Sequence, residues 1–393
     1  MKRFRRGAHR LCPPAETLSH IAPIARALGV TRLADVTGLD RIGIPVFQAV
    51  RPLSRSLSVS QGKGATPDAA RVSALMEAIE LHHAEIAAAD TYGPARDGET
   101  TLWSRMTEAD DQSLPFDPAR PRGWIDAIDL LGGGAIRIPH GLVSMDFTNL
   151  IEPDLWPNSN GLASGNSRAE AQVAALCEAI ERDAHARWLE GSSRARNASA
   201  LDPATIDDRL GRLLIARISA ARLNLSLWDM TGPQGVAVIG CAIVERGSSE
   251  AMLLPPAFGA GCHPDAAIAL ARAICEAAQT RAGLIAGSRD DIDPAAYRDA
   301  GAKRLGLMLS TLDFGGGGTR RWSAVPSVVH ADVEADLAWL LDRCAAMGCT
   351  AIVCADLTRA EIGVDVIKLI VPGFGDHDRP ARSIMDSRIF EPA

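Results

Sequence analysis

The sequence predicts a mixed α/β fold (α+β) in which helices cover one face of extended β-sheets. Short runs rich in Val and Ile alternate along the chain with long alanine-rich stretches of helical periodicity. The strand-like runs are IGIPVFQAV, GVAVIGCAIV, TAIVCADL and VIKLIV. Breaks rich in Gly and Pro fall at 91–123, 190–205 and 315–318, and none has the length or monotony of a disordered linker. The pattern therefore predicts one compact unit with surface excursions.

Composition and charge exclude several classes of function. The net charge of -7 lacks the surplus of Lys and Arg on which nonspecific nucleic-acid binding rests. No run approaches the roughly 20 apolar residues of a membrane span, and the basic start MKRFRRGAHRLCPP precedes no cleavage site. We therefore expect a cytoplasmic protein that binds neither nucleic acid nor a membrane.

The eight cysteines contain no CxxC pair, and several lie in apolar runs such as AALCEAI, which favours reduced and buried thiols. Cys344, Cys349 and Cys354 are evenly spaced, but Cys354 lies in the strand-like run AIVCADL. Metal ligation by these three residues is therefore disfavoured.

Three helical segments resemble one another: VSALMEAIELHHA, VAALCEAIERDAHA and LARAICEAAQTRAG. Each follows a Gly-containing turn, QGKGATPDA, SGNSRAEA or GAGCHPDA. Their aligned glutamates, Glu77, Glu178 and Glu276, lie about 100 residues apart, far above the period of solenoid repeats. The likeness predicts an ancient duplication that places three equivalent helices around a common centre.

Each of these helices carries polar side chains on a face that borders its apolar stripe, at about 100° of rotation per residue. A single ExxE is ordinarily a solvated helix face, but the same border position recurs in three copies. Like charges at i,i+3 also slightly oppose a helix, so a structural role does not explain them. The groups are Ser73, Glu77 and Glu80 on the first helix, Glu170, Glu178 and Glu181 on the second, and Arg272, Glu276 and Gln279 on the third.

Half-buried carboxylates that converge need a cation. Magnesium fits, because it takes hard oxygen ligands together with waters and substrate phosphates. Arg182 and Arg272 suit a phosphate held by the same metal, since the guanidinium fork matches phosphate oxygens. Zinc is disfavoured, because His82 projects away from the acidic face and no HExxH or Cys/His cluster occurs. The stretch QGKGATP lacks the spacing of a Walker A loop, which makes GKG a weak motif.

Four ordered blocks resemble the YcaO superfamily over about residues 40–375. They are SQGKGATPDAARVSALMEAIE, then NSNGLASGNSRAEAQVAALCEAIERDAHARW, then ARAICEAAQTR followed by GSRDD, and VIKLIVPGF. The opening part, VTGLDRIGIPV and RPLSRSLSVSQGKG, looks most like the bacterial subgroup encoded beside TfuA-type proteins. The resemblance implies an N-terminal segment 1–40 packed on one YcaO-like ATP-binding catalytic domain, 41–380, with a short tail, 381–393. It also implies a fold with three acidic helices around one ATP and Mg²⁺ site.

The resemblance further implies an enzyme that uses ATP to phosphorylate the oxygen of a backbone amide, so that a nucleophile can replace it. Lys63 matches the GKG lysine and is expected near the phosphates, whereas Ala163 stands where a relative has a serine near the nucleotide, which puts one weak contact in doubt. The implied ATP-binding residues are Lys63, Ser73, Glu77, Asn166, Glu170, Arg182, Arg272 and Glu276. The implied metal ligands are Glu77, Glu80, Glu178, Glu181 and Glu276.

The nucleophile separates several activities within this resemblance. Azoline-forming relatives use a Cys, Ser or Thr of the substrate peptide and usually end in PxPxP, whereas this chain ends SRIFEPA. With the subgroup likeness, this favours an external sulfur donor, a TfuA-like partner and a thioamide product on a ribosomally made peptide or a protein. An azoline-forming cyclodehydratase is the alternative, and an ATP-binding accessory factor for methylthiolation of a ribosomal protein is the third. A homodimer is expected on the resemblance alone.

Overall fold

The computed structural model describes residues 1–108, 115–149, 152, 154–155, 157–246, 254–289 and 318–375. For residues 106–108 only the backbone conformation is considered. The predicted tail at 381–393 and most of the break at 315–318 lie outside the described residues. Within them, helices pack on three β-sheets, so the predicted mixed α/β class is confirmed.

Eight helices and twelve strands occur in the described part of the chain. The helices are α1 Pro14–Ala27, α2 Pro67–Glu85, α3 Glu99–Glu108, α4 Arg168–Glu190, α5 Ser193–Ala198, α6 Arg209–Ala220, α7 Ala266–Ala286 and α8 Val333–Ala346. The strands are β1 Arg32–Asp35, β2 Val46–Val50, β3 Val59–Lys63, β4 Thr91–Gly93, β5 Arg122–Asp129, β6 Ala135–Pro139, β7 Leu162–Gly165, β8 Leu223–Asp229, β9 Val238–Glu245, β10 Ala257–Cys262, β11 Val353–Asp356 and β12 Asp365–Ile370.

The strands form two three-stranded sheets and one six-stranded sheet. The small sheets have the orders β1-β2-β3 and β10-β9-β8, and the large one has the order β4-β5-β11-β12-β7 with β6 beside β5. Every strand pair in them is antiparallel. Helix α2 packs on β2 and β3, α4 on β7 and β12, and α7 on β9 and β10. Each of the three similar segments thus belongs to a helix that lies on a different sheet.

Each of these helices directly follows a strand whose glycine lies against the helix backbone. A Cβ on Gly62 would lie 2.1 Å from the backbone nitrogen of Ala74, and one on Gly165 would lie 2.6 Å from that of Ala171. Gly259 in β10 approaches α7 in the same way. The side chains of Thr66, Ser167 and Asp265 cap the three helices by accepting from a backbone N–H of the first turn. The glycine of GKG therefore serves close strand–helix packing.

Two of the predicted breaks contain regular structure. Helix α3 and strand β4 lie within 91–123. Trp103 of α3 is fully buried, and the Trp124 Nε1–H donates to the carbonyl of Gly93 in β4 at 2.8 Å, so contacts with the rest of the chain stabilise both elements. Helix α5 lies within 190–205, where the Ser192 hydroxyl accepts from the Ala195 N–H. The turn-forming residues there mark the ends of short elements, and buried tryptophans supply the packing that local sequence did not indicate.

The N-terminal segment packs on the rest of the chain. Strand β1 pairs with β2, and α1 lies against α2. Lys2 is buried, and its Nζ lies 2.5 Å from Oδ2 of Asp336 in α8. Among the described residues, no helix has both the length and the apolarity that crossing a bilayer requires.

A candidate nucleotide and metal site

Helices α2, α4 and α7 each direct one glutamate toward the strand that precedes them. In each case a backbone N–H, 16 or 17 residues upstream, donates to the carboxylate. This repetition gives the three segments the same local geometry, as their sequence likeness predicts. The bonds are Gln61 N to Glu77 Oε1 at 3.3 Å, Gly161 N to Glu178 Oε2 at 3.1 Å, and Ala260 N to Glu276 Oε1 at 3.4 Å.

Contacts between these segments close a ring. Glu80 of α2 accepts from the Ser164 N–H in β7 at 2.8 Å and from its hydroxyl at 2.6 Å. Glu181 of α4 accepts from the Cys262 N–H in β10 at 2.8 Å. The ring closes where Lys63 at the end of β3 donates to Glu276 of α7 at 2.5 Å. We call the glutamates that line it the acidic centre: Glu77, Glu80, Glu178, Glu181 and Glu276.

Burial and mutual repulsion change the protonation of the acidic centre. Burial, together with Glu178, raises the pKa of Glu77 to about 7. Burial, with Glu77 and Glu178 nearby, likewise raises the pKa of Glu80 to about 7. Burial also raises the pKa of Glu178 above its ordinary value. For carboxylates shifted in this direction, the nearby positive charges do not offset the effect of burial, and a bound cation supplies further positive charge.

The pKa values of Glu181 and Glu276 are shifted in opposite directions. Burial and the neighbouring Glu276 raise the pKa of Glu181. Burial opposes ionisation of Glu276 as well, but Lys63, Arg182 and Arg272 hold the pKa of Glu276 well below its usual range. Glu276 is therefore the ionised partner of the pair in the metal-free protein.

The two arginines predicted for phosphate both lie at the acidic centre. Arg182 lies 3.8 Å from the Glu178 carboxylate. Burial lowers the pKa of Arg272, but Glu181 and Glu276 outweigh it and raise the value above its ordinary range. The Arg272 Nε–H is buried and has no hydrogen-bond partner within the part of the chain that the structure describes. A buried guanidinium donor beside oxygen ligands fits an anionic phosphate group.

Asn166 and Glu170 lie at the start of α4, where the N-terminal segment covers them. The Asn166 Nδ2–H donates to Glu170 at 2.9 Å, and its Oδ1 accepts from the Thr17 hydroxyl at 2.8 Å. Arg10 and the backbone N–H of Leu11 bind the two Glu170 oxygens at 3.3 and 3.0 Å. No local pattern indicated Arg10 or Thr17 at this place, because their partners lie about 150 residues away along the chain.

Ser73 and Ala163, two further positions considered in the sequence, lie on α2 and in β7. Ser73 lies half-buried on α2, one turn before Glu77. Ala163, the departure from the family pattern, is buried in β7 and pairs with Ile367 of β12.

Lys368 is a residue of this site that sequence reasoning missed. It is 2% exposed, and its Nζ donates to the carbonyls of Asn158 and Asn160 at 2.6 and 2.8 Å. The same loop presents the Gly161 N–H to Glu178, whose pKa the Lys368 charge lowers. Lysine in the strand-like run VIKLIV gave a weak signal, since a charge is uncommon in a fully buried strand.

In the acidic centre, no three carboxylates of the described residues have ligand atoms that all lie within 4.8 Å of one another. Among the described residues, only His9, His263 and Asp336 bring three ligand atoms within 4.8 Å of one another. Lys2 Nζ lies 2.5 Å from Asp336 and 3.2 Å from His9 Nδ1, so an ammonium group already supplies the cation there. The acidic centre offers hard carboxylate oxygens from three helices, and these fit Mg²⁺ better.

Known proteins and a protein-family model match this chain over most of its length. Residues 61–375 match the family model described as YcaO cyclodehydratase, ATP- and Mg²⁺-binding. The chain is 36% identical over 371 residues to an uncharacterized protein in the tfuA 3′ region of Rhizobium leguminosarum bv. trifolii, covering 93% of this chain and 88% of that protein.

Two solved structures share the fold. YcaO from Methanopyrus kandleri, bound with AMPPCP and Mg²⁺, matches with a TM-score of 0.74 at 23% identity, covering 100% of this chain and 98% of that one. A heterocyclase in complex with substrate and cofactor matches with a TM-score of 0.76 at 20% identity, covering 94% of this chain and 54% of that one. The predicted family and the predicted cofactors are confirmed. The chain belongs to the YcaO family, whose cofactors are ATP and Mg²⁺.

Proposed function

We propose that this protein uses ATP and Mg²⁺ to phosphorylate a backbone amide oxygen of a peptide or protein, and that sulfide then replaces this oxygen to give a thioamide. The proposal includes a sulfur donor and a TfuA-like partner. One observation carries the nucleotide chemistry: the buried Arg272 Nε–H has no hydrogen-bond partner among the described residues, and Glu181 and Glu276 lie close enough to raise the pKa of Arg272. Phosphoryl transfer depends mainly on positioning and charge neutralisation, and this arrangement supplies both.

Specific residues have separate tasks in the proposed reaction. Bound Mg²⁺ neutralises charge on the transferred phosphoryl group. Glu77, Glu80, Glu178, Glu181 and Glu276 hold the metal. Lys63 and Arg272 orient the phosphates, and Lys63 leaves Glu276 to do so.

The reaction balances without an oxidant. The amide oxygen takes the terminal phosphoryl group of ATP, and ADP leaves. Sulfide adds to the amide carbon, and the carbon–oxygen bond breaks to release phosphate. An amide is a poor electrophile with a poor leaving group. Phosphorylation of its oxygen makes the carbon more electrophilic and provides phosphate as the leaving group.

Gene context supports the sulfur chemistry. The Rhizobium relative is named for its place beside tfuA, and it aligns over most of both chains. A partner encoded next to the enzyme is a natural candidate to bring sulfur to the activated amide. This context favours the thioamide over the azoline product.

The test is a reconstitution. The protein is incubated with ATP, Mg²⁺, sulfide, the TfuA-like partner and the peptide encoded nearby, and the product is measured by mass spectrometry. The expected product has one oxygen exchanged for sulfur, together with one ADP and one phosphate. Loss of water from the peptide without gain of sulfur would overturn the thioamide proposal.

A pair of variants checks the role of the acidic centre. Glu178→Gln keeps the side-chain shape and removes a charge that Gly161 N and Arg182 contact. We expect a loss of activity of about 100-fold or more, because the variant removes a proposed ligand of the metal that neutralises charge in the transition state. Glu190→Gln, at the exposed end of the same helix, is the matched control and retains activity.

Azoline formation is the second candidate, since the matched family model is described as a cyclodehydratase. It predicts loss of one water from a peptide containing Cys, Ser or Thr, without added sulfide. An accessory role in methylthiolation of a ribosomal protein is the third. It predicts ATP binding without turnover, and normal modification of the substrate with the Glu178→Gln variant.

A further inference from the structure

Helix α8 ends with two cysteines at the two positions that its C-terminal cap brings together. The Cys349 N–H donates to the Cys344 carbonyl at 3.1 Å, and the Gly348 N–H donates to Ala345 at 2.9 Å. Gly348 has a positive φ of 93°. These bonds define a Schellman motif, in which the residue after the left-handed glycine contacts the residue five positions earlier. The sequence CAAMGC therefore brings the backbones of Cys344 and Cys349 together, and each thiol lies close enough to shift the pKa of the other.

The two thiols differ in their access to solvent. Cys344 is 0% exposed and packs in the same core as Leu176, Cys177 and Ile180 of α4. Cys349 is partly exposed at the edge of that core. A reagent from solvent therefore reaches Cys349 first, and Cys344 lies behind it.

The surroundings make Cys349 the nucleophile of the pair. Interaction with the Cys344 thiol, together with the positive charge of the nearby Arg187, lowers the pKa of Cys349. Interaction with Cys349, together with burial, raises the pKa of Cys344. Arg187 reaches this place from α4, where its Nε–H binds Asp183 at 2.8 Å. A partly exposed thiolate beside a protonated, buried thiol is the arrangement of an attacking and a resolving cysteine.

We propose that Cys349 and Cys344 form a dithiol site that takes sulfane sulfur from a low-molecular-weight or protein persulfide and releases it as hydrogen sulfide. This inference rests on the proposed function for the use of that sulfide. Cys12, the other partly exposed cysteine, lies just before α1, where its sulfur accepts a hydrogen bond from Arg3 at 3.2 Å.

The steps balance with the persulfide as the oxidant. The Cys349 thiolate attacks the outer sulfur of a donor R–S–SH, which forms Cys349–S–SH and releases R–S⁻. Cys344 then attacks the inner sulfur of that persulfide. A disulfide between Cys344 and Cys349 forms, and hydrogen sulfide leaves. A dithiol reductant of the cell returns the disulfide to two thiols.

The buried cysteine of the pair packs against a helix that also contributes to the acidic centre. Helix α8 packs on α4, and α4 carries Glu178 and Glu181. Sulfide released at the α4–α8 contact is thus produced on the helix that holds part of the nucleotide site. A free donor in solution would instead have to deliver sulfide from bulk water.

The test uses the reduced full-length protein and glutathione persulfide, without ATP, Mg²⁺ or peptide. We expect one sulfide per chain, measured by a fluorescent sulfide probe, and a Cys344–Cys349 disulfide in the peptide map. Cys349→Ser abolishes both, whereas Cys344→Ala stops at a persulfide retained on Cys349. Cys12→Ser is the matched control and behaves as the unmodified protein. Thermal unfolding of each variant confirms that it is folded.

Two results would overturn the inference: sulfide release that persists in Cys349→Ser, or a persulfide retained on Cys349 of the unmodified protein with no disulfide. Its failure is distinguishable from that of the proposed function. Release of sulfide here without thioamide formation in the reconstitution removes the function and keeps the dithiol chemistry. In the opposite case, Cys349→Ser forms the thioamide from free sulfide, and the unmodified protein releases no sulfide from persulfide. That result keeps the proposed function and removes the dithiol chemistry.

Discussion

At the residue scale, Lys368 shows how a single buried charge supports the site. Its ammonium group has carbonyl partners at Asn158 and Asn160 and lies close enough to Glu178 to lower the pKa of that carboxyl. It is thus a positioning residue, because it acts through the loop that presents Gly161 to Glu178. The hydrogen bonds of a charged donor are the strong ones, and leaving their acceptors buried and unpaired is costly.

We expect Lys368→Met to lower the free energy of unfolding by about 2–4 kcal/mol, since two buried carbonyls lose their donor. The loosened loop also weakens binding of Mg²⁺ with ATP. Denaturant unfolding and titration of Mg²⁺ in the presence of a nonhydrolysable ATP analogue measure the two effects.

Lys368→Arg is the conservative variant, and it retains a donor for at least one carbonyl. If Lys368→Met binds Mg²⁺ and the analogue as tightly as the unmodified protein, Lys368 has a structural role alone. Partial recovery of metal affinity by arginine supports the positioning role.

At the scale of elements, the approach of a strand to the following helix sets the position of each acidic face. Gly62 of β3 lies against the α2 backbone, where an added Cβ would be 2.2 Å from the Ala70 carbonyl oxygen. The clash is with backbone, so the side chains nearby cannot relieve it. Helix α2 would have to move away from β3, taking Glu77 and Glu80 with it.

Gly62→Ala is therefore expected to lower stability by about 1–3 kcal/mol and to weaken Mg²⁺ binding at the acidic centre. Gly134→Ala is the matched control, because a Cβ there meets nothing within 4 Å. Thermal unfolding and Mg²⁺ titration of the two variants give the comparison. Equal stability of both would contradict the close packing of β3 against α2.

At the scale of the whole molecule, three sheets and three helices meet at one centre, and the pH dependence of metal binding follows from that meeting. Burial and mutual repulsion raise the pKa of Glu77 and of Glu80 to about 7. Below about pH 7 these carboxyls keep their protons in the metal-free protein, and Mg²⁺ must displace them. Above it they are already ionised, so no proton is displaced.

We therefore expect Mg²⁺ to bind more tightly as the pH rises from about 6 to about 8, with proton release that is largest at the acid end of that range. Calorimetric titrations in buffers of different ionisation enthalpy measure the released protons. Glu85, whose pKa the surrounding contacts with Arg51, Ser54 and Ser56 lower to about 2, does not titrate there and adds nothing. Metal affinity that is constant over this range would contradict the raised carboxyl pKa values.

Local patterns allowed much of this architecture to be predicted. The helical periodicity of VSALMEAIELHHA and its two counterparts lies within α2, α4 and α7. The Val- and Ile-rich runs contain β2 and β11 and include all but one residue of β9 and of β12. Helix α3 and strand β4 were missed, since buried Trp103 and Trp124 stabilise them through distant contacts. The paired cysteines of CAAMGC were visible as an even spacing, but the spacing did not show that a glycine cap joins Cys344 to Cys349.

The sequence by itself determined the class of fold, the three acidic faces and the kind of cation that they suit, because side-chain periodicity and ligand chemistry are local properties. Only the tertiary structure decided how those faces meet. Glu80 binds Ser164, Glu181 binds Cys262 and Lys63 binds Glu276, across 84, 81 and 213 residues of chain. Contacts at such separations depend on how three sheets pack together, and no local pattern in the chain specifies that packing.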